Sequence, residues 1–472
     1  MTKSRFQDQR LSGLMMDRRS LLMGLMACSA LPAAAQTLPS DPDVVVIGAG
    51  SAGLSAARTF IAQGYSVVVL EAADRIGGRA YTDTATLGVP FDVGCSWMQG
   101  PKDLELVSLA RDYGYTLLDH SGASEAFYVG DRLSTTAERN KYWGSYEAIE
   151  VALAKAGAAG RDVAASTIIP PDLPYGSVVE SWIGPMDWGV DFADLSTLES
   201  QSTADLGVNY MIREGYGTLI SRMGDGLPVQ MGTPATLIDW SGEGVRVETP
   251  IGTIRARACV VTVSTGVLGK GQIKFAPDLP DWKAEAISKV PMGLLTKVGL
   301  MFDGERFGLS PNAWLTYGSE QKTPLEASYF LSFPFNFDVM VGFLGGQFGW
   351  EMAKAGEAAT IDFVLGEMEK MFGSKVRKHF VKGMVSDWAT NPLTHGAYAS
   401  AKPGHHSARE GLRRPVGERV FFAGEAMAGP YITLCGGAFI SGAATAKAVM
   451  AALDCDSCAG RKQRLKKKAI QQ

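Results

Sequence analysis

Three glycines and a carboxylate form the first pattern with chemical content. Residues 43–53 read DVVVIGAGSAG, so Gly48, Gly50 and Gly53 are spaced G-x-G-x-x-G directly after four β-branched residues. Such an unbroken run predicts a buried parallel strand. At its end the first glycine permits a tight turn, the second lets the backbone approach a pyrophosphate, and the third lets helix and strand pack closely. The helix start then offers free N–H groups to the phosphate charge. Leu54, Ala57 and Ile61 come next at helical spacing, and Gly64 is placed to end that helix. A second strand over 66–72 carries Glu71, 23 positions after Gly48, where a carboxylate reaches ribose hydroxyls. Together these residues predict a dinucleotide site. They leave nicotinamide and flavin both open.

A second chemical feature is one lysine. Lys297 interrupts the apolar run GLLTKVGL over 293–300. A charged lysine is costly to bury, so an inward-facing Lys297 must be partnered or carry a lowered pKa. A strand lysine facing solvent fits the alternating pattern equally well. The five histidines, His120, His379, His395, His405 and His406, show no spacing of a metal site.

The residues just after Glu71 decide between the cofactors. The segment EAADRIGGRAYT over 71–82 places Gly77, Gly78 and Arg79 just beyond the acidic strand end. This resembles the flavin amine oxidase family, which includes monoamine, polyamine and the related L-amino-acid oxidases. The resemblance runs from about Val44 to Met450. It covers DVGCSWMQG over 92–100, GTPATLIDW over 232–240, and RACVVTVSTGVL, where Ser264 replaces the usual proline. It continues through Lys297, then Trp388, Gly396 and Tyr398 with Asn391 in place of Asp, and RVFFAGEAM ending the last cofactor strand.

The resemblance implies FAD held by Gly48, Gly50, Ser51, Gly53, Glu71, Ala72, Gly78, Arg79, Ser96, Trp97, Ala235, Trp388, Gly424, Glu425, Leu434 and Cys435. Arg79 would neutralise the diphosphate, the Ala235 backbone would meet the adenine and Glu425 would hold a ribose hydroxyl. Lys297 and Tyr398 are the implied catalytic residues. Lys297 would contact flavin N5 through water, and Tyr398 would form one wall of an aromatic cage. The opposite wall falls on Leu434, so the cage is one-sided unless Tyr431 swings in; Gln99 is a further pocket residue. Ala397 stands where a monoamine oxidase carries its flavin-linking cysteine, which implies non-covalent FAD. His395 adjoins the flavin motif, with a packed or surface role as the alternative.

The implied reaction moves a hydride equivalent from the carbon of a small primary or secondary amine to the flavin. The imine then hydrolyses to a carbonyl compound and ammonia or an amine. The acceptor is O2, giving H2O2, or another acceptor such as a c-type cytochrome. An L-amino-acid oxidase is the alternative and needs a pocket arginine to clamp a carboxylate. A flavin-binding redox partner without catalysis is a third reading.

These residues require an α/β fold. The expectation is a Rossmann-like FAD domain assembled from segments 41–100, 211–295 and 388–455. An α+β substrate domain takes 101–210 and 296–387, with helices from the first block and a sheet from the second. The aromatic run over 328–346 reads as core. No apolar run of about 20 residues follows the N-terminus, so no stable membrane span is expected. The net charge of −4 becomes more negative once residues 1–35 are set aside, which argues against nucleic acid as a partner.

The N-terminus has its own logic. Arg18 and Arg19 precede a short apolar stretch ending in an A-x-A site at 33–35, which describes a cleavable signal of the twin-arginine type over 1–35. An ordinary signal with two arginines is the alternative. FAD contacts distant segments, so it must be loaded before export, and a route for folded proteins to the periplasm suits that. Of the cysteines left after cleavage, Cys259 sits in a buried strand pattern, and Cys455 with Cys458 could close a small disulfide in an oxidising compartment. The basic tail over 456–472 reads as a solvated terminus. The oligomeric state stays open, a homodimer included.

Overall fold

The computed structural model describes residues 41–319, 326 and 328–470, with side chains only up to Asp454 in the last helix. The expected signal over 1–35 lies outside the described residues, as do the side chains of Cys455, Cys458 and the basic tail.

Strand Val44–Ile47 is the centre of a five-stranded parallel sheet. The order is Val229–Gln230, Val67–Leu70, Val44–Ile47, Ala258–Val261, Val420–Phe422. Val44 lies opposite Val67 on one side and Ala258 on the other. Every residue of the four longer strands is buried. Parallel strands covered on both faces have no solvent side, so the alternation of a surface strand is absent. Neighbouring strands come from segments far apart in the chain, which makes this the discontinuous Rossmann-like layer.

Helix Ser51–Ala62 comes directly after the first strand and buries Leu54, Ala57 and Phe60. Helical spacing puts Ile61 on that face, but it is 43% exposed. The helix end explains the difference. Gly64 adopts φ +80°, its N–H donates to Ile61 O, and Tyr65 N–H donates to Phe60 O. This closure pulls the Phe60 ring toward Tyr65, with ring centroids 6.3 Å apart, and leaves Ile61 outside. The last helix, Cys435–Ile470, packs against the same helix. Its stretch Cys435–Asp454 is long and apolar enough to cross a membrane by length and composition, yet half of it is buried in the fold.

The second large layer is a seven-stranded sheet. It runs Phe380–Val385, Leu295–Phe302, Val339–Gly345, Tyr329–Ser332, Ala313–Tyr317, Glu125–Val129, Arg132–Leu133. The expected sheet drew on the second block alone, but Glu125–Val129 joins it parallel to Ala313–Tyr317. That pairing joins segments from opposite sides of the cofactor strands, beyond the reach of any local pattern. The second block also supplies helices Gly346–Ala355 and Glu357–Phe372, while the first supplies the long helix Thr136–Ala158. Phe330, Phe333 and Phe343 of the aromatic run are buried in core clusters.

Candidate active site

The carboxyl ends of the parallel strands open into a cavity of about 730 Å³. Two glycine segments form its floor side by side: Gly50 bridges Gly77, and Gly77 N–H donates to Ala49 O at 2.9 Å. Gly48 adopts φ +105°, and a Cβ on Gly53 would stand 1.9 Å from Gly48 O, so neither position takes a side chain. Gly48, Gly50 and Ser51 face the cavity; Gly53 supports the turn from behind.

Charge is arranged along this floor. The Glu71 carboxylate accepts Ala49 N–H at 2.7 Å and Ala73 N–H at 2.9 Å, and keeps acceptor capacity for a hydroxyl. Arg79 donates to Ala397 O and to Glu425 Oε1, both at 2.8 Å. Glu425 also accepts Ala399 N–H at 3.2 Å. Ala72, Gly78, Ser96, Trp97, Gln99, Ala235, Trp388, Gly424, Leu434 and Cys435 all face the same cavity. The Trp388 indole N–H donates to Val93 O at 3.0 Å, which fixes its ring. Tyr431 is not on the cavity wall, so Thr433 and Leu434 represent that segment there.

Lys297 lies on strand Leu295–Phe302 with its side chain buried. Its Nζ donates to Asp92 O at 3.1 Å, to Gly94 O and to Ser96 Oγ. Three donors meet three acceptors, so the ammonium is satisfied by the chain itself. Burial lowers its pKa to about 8, against the pull of Asp92 and Cys95. Asp92 is buried as well; burial raises its pKa, while Lys297 and the N–H groups of Tyr216 and Gly217 oppose the rise. A solvent-facing Lys297 is therefore excluded.

Tyr398 stands on the wall with its hydroxyl donating to Met186 O at 3.0 Å, and burial raises its pKa, so it stays protonated. Beneath it runs a network absent from the sequence reading. Arg409 donates through Nη1 to Ala426 O at 2.7 Å, through Nη2 to Ala399 O at 2.8 Å, and through Nε to Glu199 at 2.9 Å. Glu199 also accepts Ala401 N–H at 2.9 Å and pairs with His406 Nδ1 at 2.7 Å.

Other wall residues, Trp182, Trp314 and Asp187 among them, carried no usable signal in the sequence, whereas Trp97 was named by the resemblance. Trp97, Trp182 and Trp314 form an aromatic face, with Trp97 and Trp314 stacked at 5.3 Å. His120 accepts the Trp97 indole N–H at 3.1 Å and meets Asn312 O at 2.9 Å, so Nε2 carries the proton and burial keeps the ring neutral. His395 is not on the wall; it meets Gln272 at 3.3 Å. Asp187 lies deep in the molecule but opens onto the cavity, and burial raises its pKa to about 7. Among the described residues no hydrogen bond or ion pair reaches its carboxylate, and no three side chains gather as metal ligands.

This cradle fits FAD. The floor lacks Cβ atoms where a diphosphate must approach, a helix start and Arg79 oppose its charge, and Glu71 offers acceptors to a ribose. Comparison with known proteins agrees. The family model of flavin-containing amine oxidoreductases matches residues 51–169 and 176–450. The chain belongs to this family. Its cofactor is FAD, and this amine oxidoreductase is similar along its length to curated relatives. It is 29% identical to polyamine oxidase 4 of Oryza sativa subsp. japonica, over 91% of this chain and 92% of the relative. It is 30% identical to polyamine oxidase 2 of Arabidopsis thaliana, over 88% of each. Two solved structures share the fold. Putrescine oxidase bound to putrescine gives a TM-score of 0.71 at 21% identity, over 87% of this chain and 99% of that one. Cyclohexylamine oxidase from Brevibacterium oxydans IH-35A gives 0.71 at 22% identity, over 88% and 100%.

Proposed function

We propose that this amine oxidoreductase converts a small primary or secondary amine to an imine, which water hydrolyses to a carbonyl compound and ammonia or an amine. Bound FAD supplies the hydride acceptor. The observation that carries the reading is the shared cavity in which Lys297, Tyr398 and the tryptophan face line a space continuous with the cofactor floor. The aromatic face and Tyr398 exclude water and orient a neutral amine, whose lone pair drives departure of the hydride. Leu434 supplies the wall opposite Tyr398. Lys297 holds positive charge at the inner end, through Ser96 or an exchanged water, where it aids reoxidation or imine hydrolysis. O2 or another electron acceptor completes the cycle.

The amino-acid reading lacks its clamp. The arginines on the wall, Arg75 and Arg79, are engaged at the cofactor end, with Gly78 O and Glu425 respectively. The unpartnered Asp187 instead favours an amine that carries a second, cationic nitrogen. The similarity to two polyamine oxidases is in keeping with that preference. An anaerobic screen of monoamines, diamines and amino acids, read by bleaching of the flavin, tests the reading. Bleaching by amines supports it; bleaching by amino acids alone overturns it.

The same proposal places the enzyme in the periplasm, with residues 1–35 as a twin-arginine-type signal and FAD bound without a covalent link. The support is the motif at Arg18 and Arg19 and the assembly of the cradle from segments as distant as Gly48 and Glu425.

A further inference from the structure

One stretch of the cavity wall is wound more widely than an α-helix. Residues Trp182–Trp188 form a π-helix that continues the short α-helix Gly176–Ser181, and Pro185 lies in its middle. Proline has no amide hydrogen to donate, and in an α-helix its ring would clash with the carbonyl four residues back, here that of Ser181. The wider winding moves that carbonyl aside. Packing then holds the π-helix in place. Leu294 N–H donates to Gly189 O at 2.8 Å, and a Cβ on Gly345 would stand 1.9 Å from Pro185 O, so the strand Val339–Gly345 ends directly against it.

The winding decides which side chains meet the cavity. Trp182, Met186 and Asp187 line it, whereas Ile183, Gly184 and Trp188 are buried away from it. Closure of i→i+5 advances about 80° per residue, against about 100° in an α-helix. At about 80°, Met186 and Asp187 fall within about 50° on either side of Trp182, and Ile183, Gly184 and Trp188 share the other side. At about 100°, Ile183 would fall between Met186 and Asp187 and break up the cavity face. Trp182 and Asp187 are therefore neighbours one turn apart, as i and i+4 are in an α-helix.

Both neighbours suit a cation. Asp187 is the one exposed residue of the seven; it opens onto the cavity, and among the described residues no hydrogen bond or ion pair reaches it. Trp182 is half-buried, and its ring is set by near-perpendicular contacts with Trp314 at 5.2 Å and Tyr329 at 5.0 Å. The Tyr329 hydroxyl is itself tied to Val178 O at 2.7 Å. An indole held in this way offers π-electron density to a cation. Met186 O accepts the Tyr398 hydroxyl at 3.0 Å, so the same π-helix carries both groups and braces one wall of the cage.

We propose that the π-helix Trp182–Trp188 is the specificity element of the site, and that its winding pairs the Trp182 indole with the Asp187 carboxylate as one seat for a second cationic nitrogen of the substrate. This rests on the amine reading above and adds Trp182 and the winding to it. The carboxylate supplies charge and the indole a face that excludes water, so the two act as a unit.

The test reads binding. A series of α,ω-bis(trimethylammonium)alkanes lacks the amine lone pair and is not oxidised; alkyltrimethylammonium ions of matching length are the single-charge controls. Calorimetry on the flavin-loaded protein should show the best dication bound roughly tenfold or more tightly than its control. Trp182→Leu and Asp187→Asn should each remove most of that preference while FAD stays bound, and the double variant should lose no more than the larger single loss. Trp182→Phe, which keeps a ring of weaker π density, should fall between native and Trp182→Leu. Ile183→Val, beside Asp187 only in an α-helical winding, should leave the preference unchanged. A preference that survives Trp182→Leu, losses that multiply in the double variant, or a shift with Ile183→Val overturns the proposal. Flavin reduction by amines without any dication preference overturns the seat and leaves the amine reading intact, so the two failures are separable.

Discussion

The Arg409 guanidinium and the Glu199 carboxylate form an ion pair closed off from solvent, with 6% and 0% of their side chains exposed. The remaining donors of Arg409 hold the carbonyls of Ala399 and Ala426, the immediate neighbours of Tyr398 and Glu425 in sequence. One buried cation therefore fixes the backbone beside both Tyr398 and Glu425, two residues of the cavity wall.

Arg409→Met leaves Glu199 buried without its cation, which should cost about 3–5 kcal/mol and lower the thermal midpoint of the flavin-loaded protein. Arg409→Lys should recover part of that loss, since it keeps the charge but not the fork. Burial alone would raise the Glu199 pKa, but His406 and Arg409 outweigh it and bring it to about 2. Its folded value is depressed, so its contribution is complete above the unfolded pKa of roughly 4.3 and is lost as pH falls toward about 2. Thermal midpoints measured across that window should show the loss in the native chain and not in Glu199→Gln.

Lys297→Met should retain FAD and slow reoxidation. The Lys297 ammonium loses its proton as pH rises through about 8. Stopped-flow reoxidation of the native enzyme should therefore slow above that pH, and the variant should show no such step. Equal profiles for the two proteins would remove Lys297 from the reaction.

Asp187→Asn should weaken selection of substrates with a second cationic nitrogen. A charge-assisted contact of about 1.5–3 kcal/mol corresponds to a roughly 10- to 100-fold fall in kcat/KM for a diamine, with little change for a monoamine of equal length. Asp187 is ionised above about pH 7. The diamine kcat/KM of the native enzyme should rise through that pH, and this limb should vanish in the variant.

Glu425→Gln should loosen the cofactor. It removes the partner of Arg79 and weakens the anchor of Ala399 N–H on the cavity wall. The expected readout is a rise of about tenfold in the FAD dissociation constant, measured by flavin fluorescence. Acid precipitation of the native protein should release the FAD into the supernatant.

Replacing Arg18 and Arg19 with lysine should leave flavin-loaded protein in the cytoplasm, as read by fractionation and flavin absorbance. Normal export of the variant would rule out the twin-arginine route.

Local pattern was enough for the dinucleotide floor. Four β-branched residues, three spaced glycines and Glu71 encode a strand, a turn and a helix start within a short stretch of chain, and each part is set by backbone sterics and nearby hydrogen bonds. Lys297 was conspicuous for a related reason, because a charge in an apolar run demands an explanation. Pattern failed where an outcome depended on partners far along the chain. Ile61 and Phe60 were indistinguishable by spacing until the helix closure chose between them. Asp187 looks like any loop carboxylate until its surroundings withhold a partner. Lys283, fully buried, looks like a surface helix lysine, yet its Nζ meets the carbonyls of Gly411, Leu412 and Arg414 at 2.6–2.9 Å. The cofactor floor was legible in one contiguous motif, and the type of reaction followed from the resemblance to the flavin amine oxidases that the separated motifs carry. Which charges are paired, and which stand free on the cavity wall, was settled only by folding. Pairing depends on distances between segments hundreds of residues apart, and those distances exist only in the folded chain.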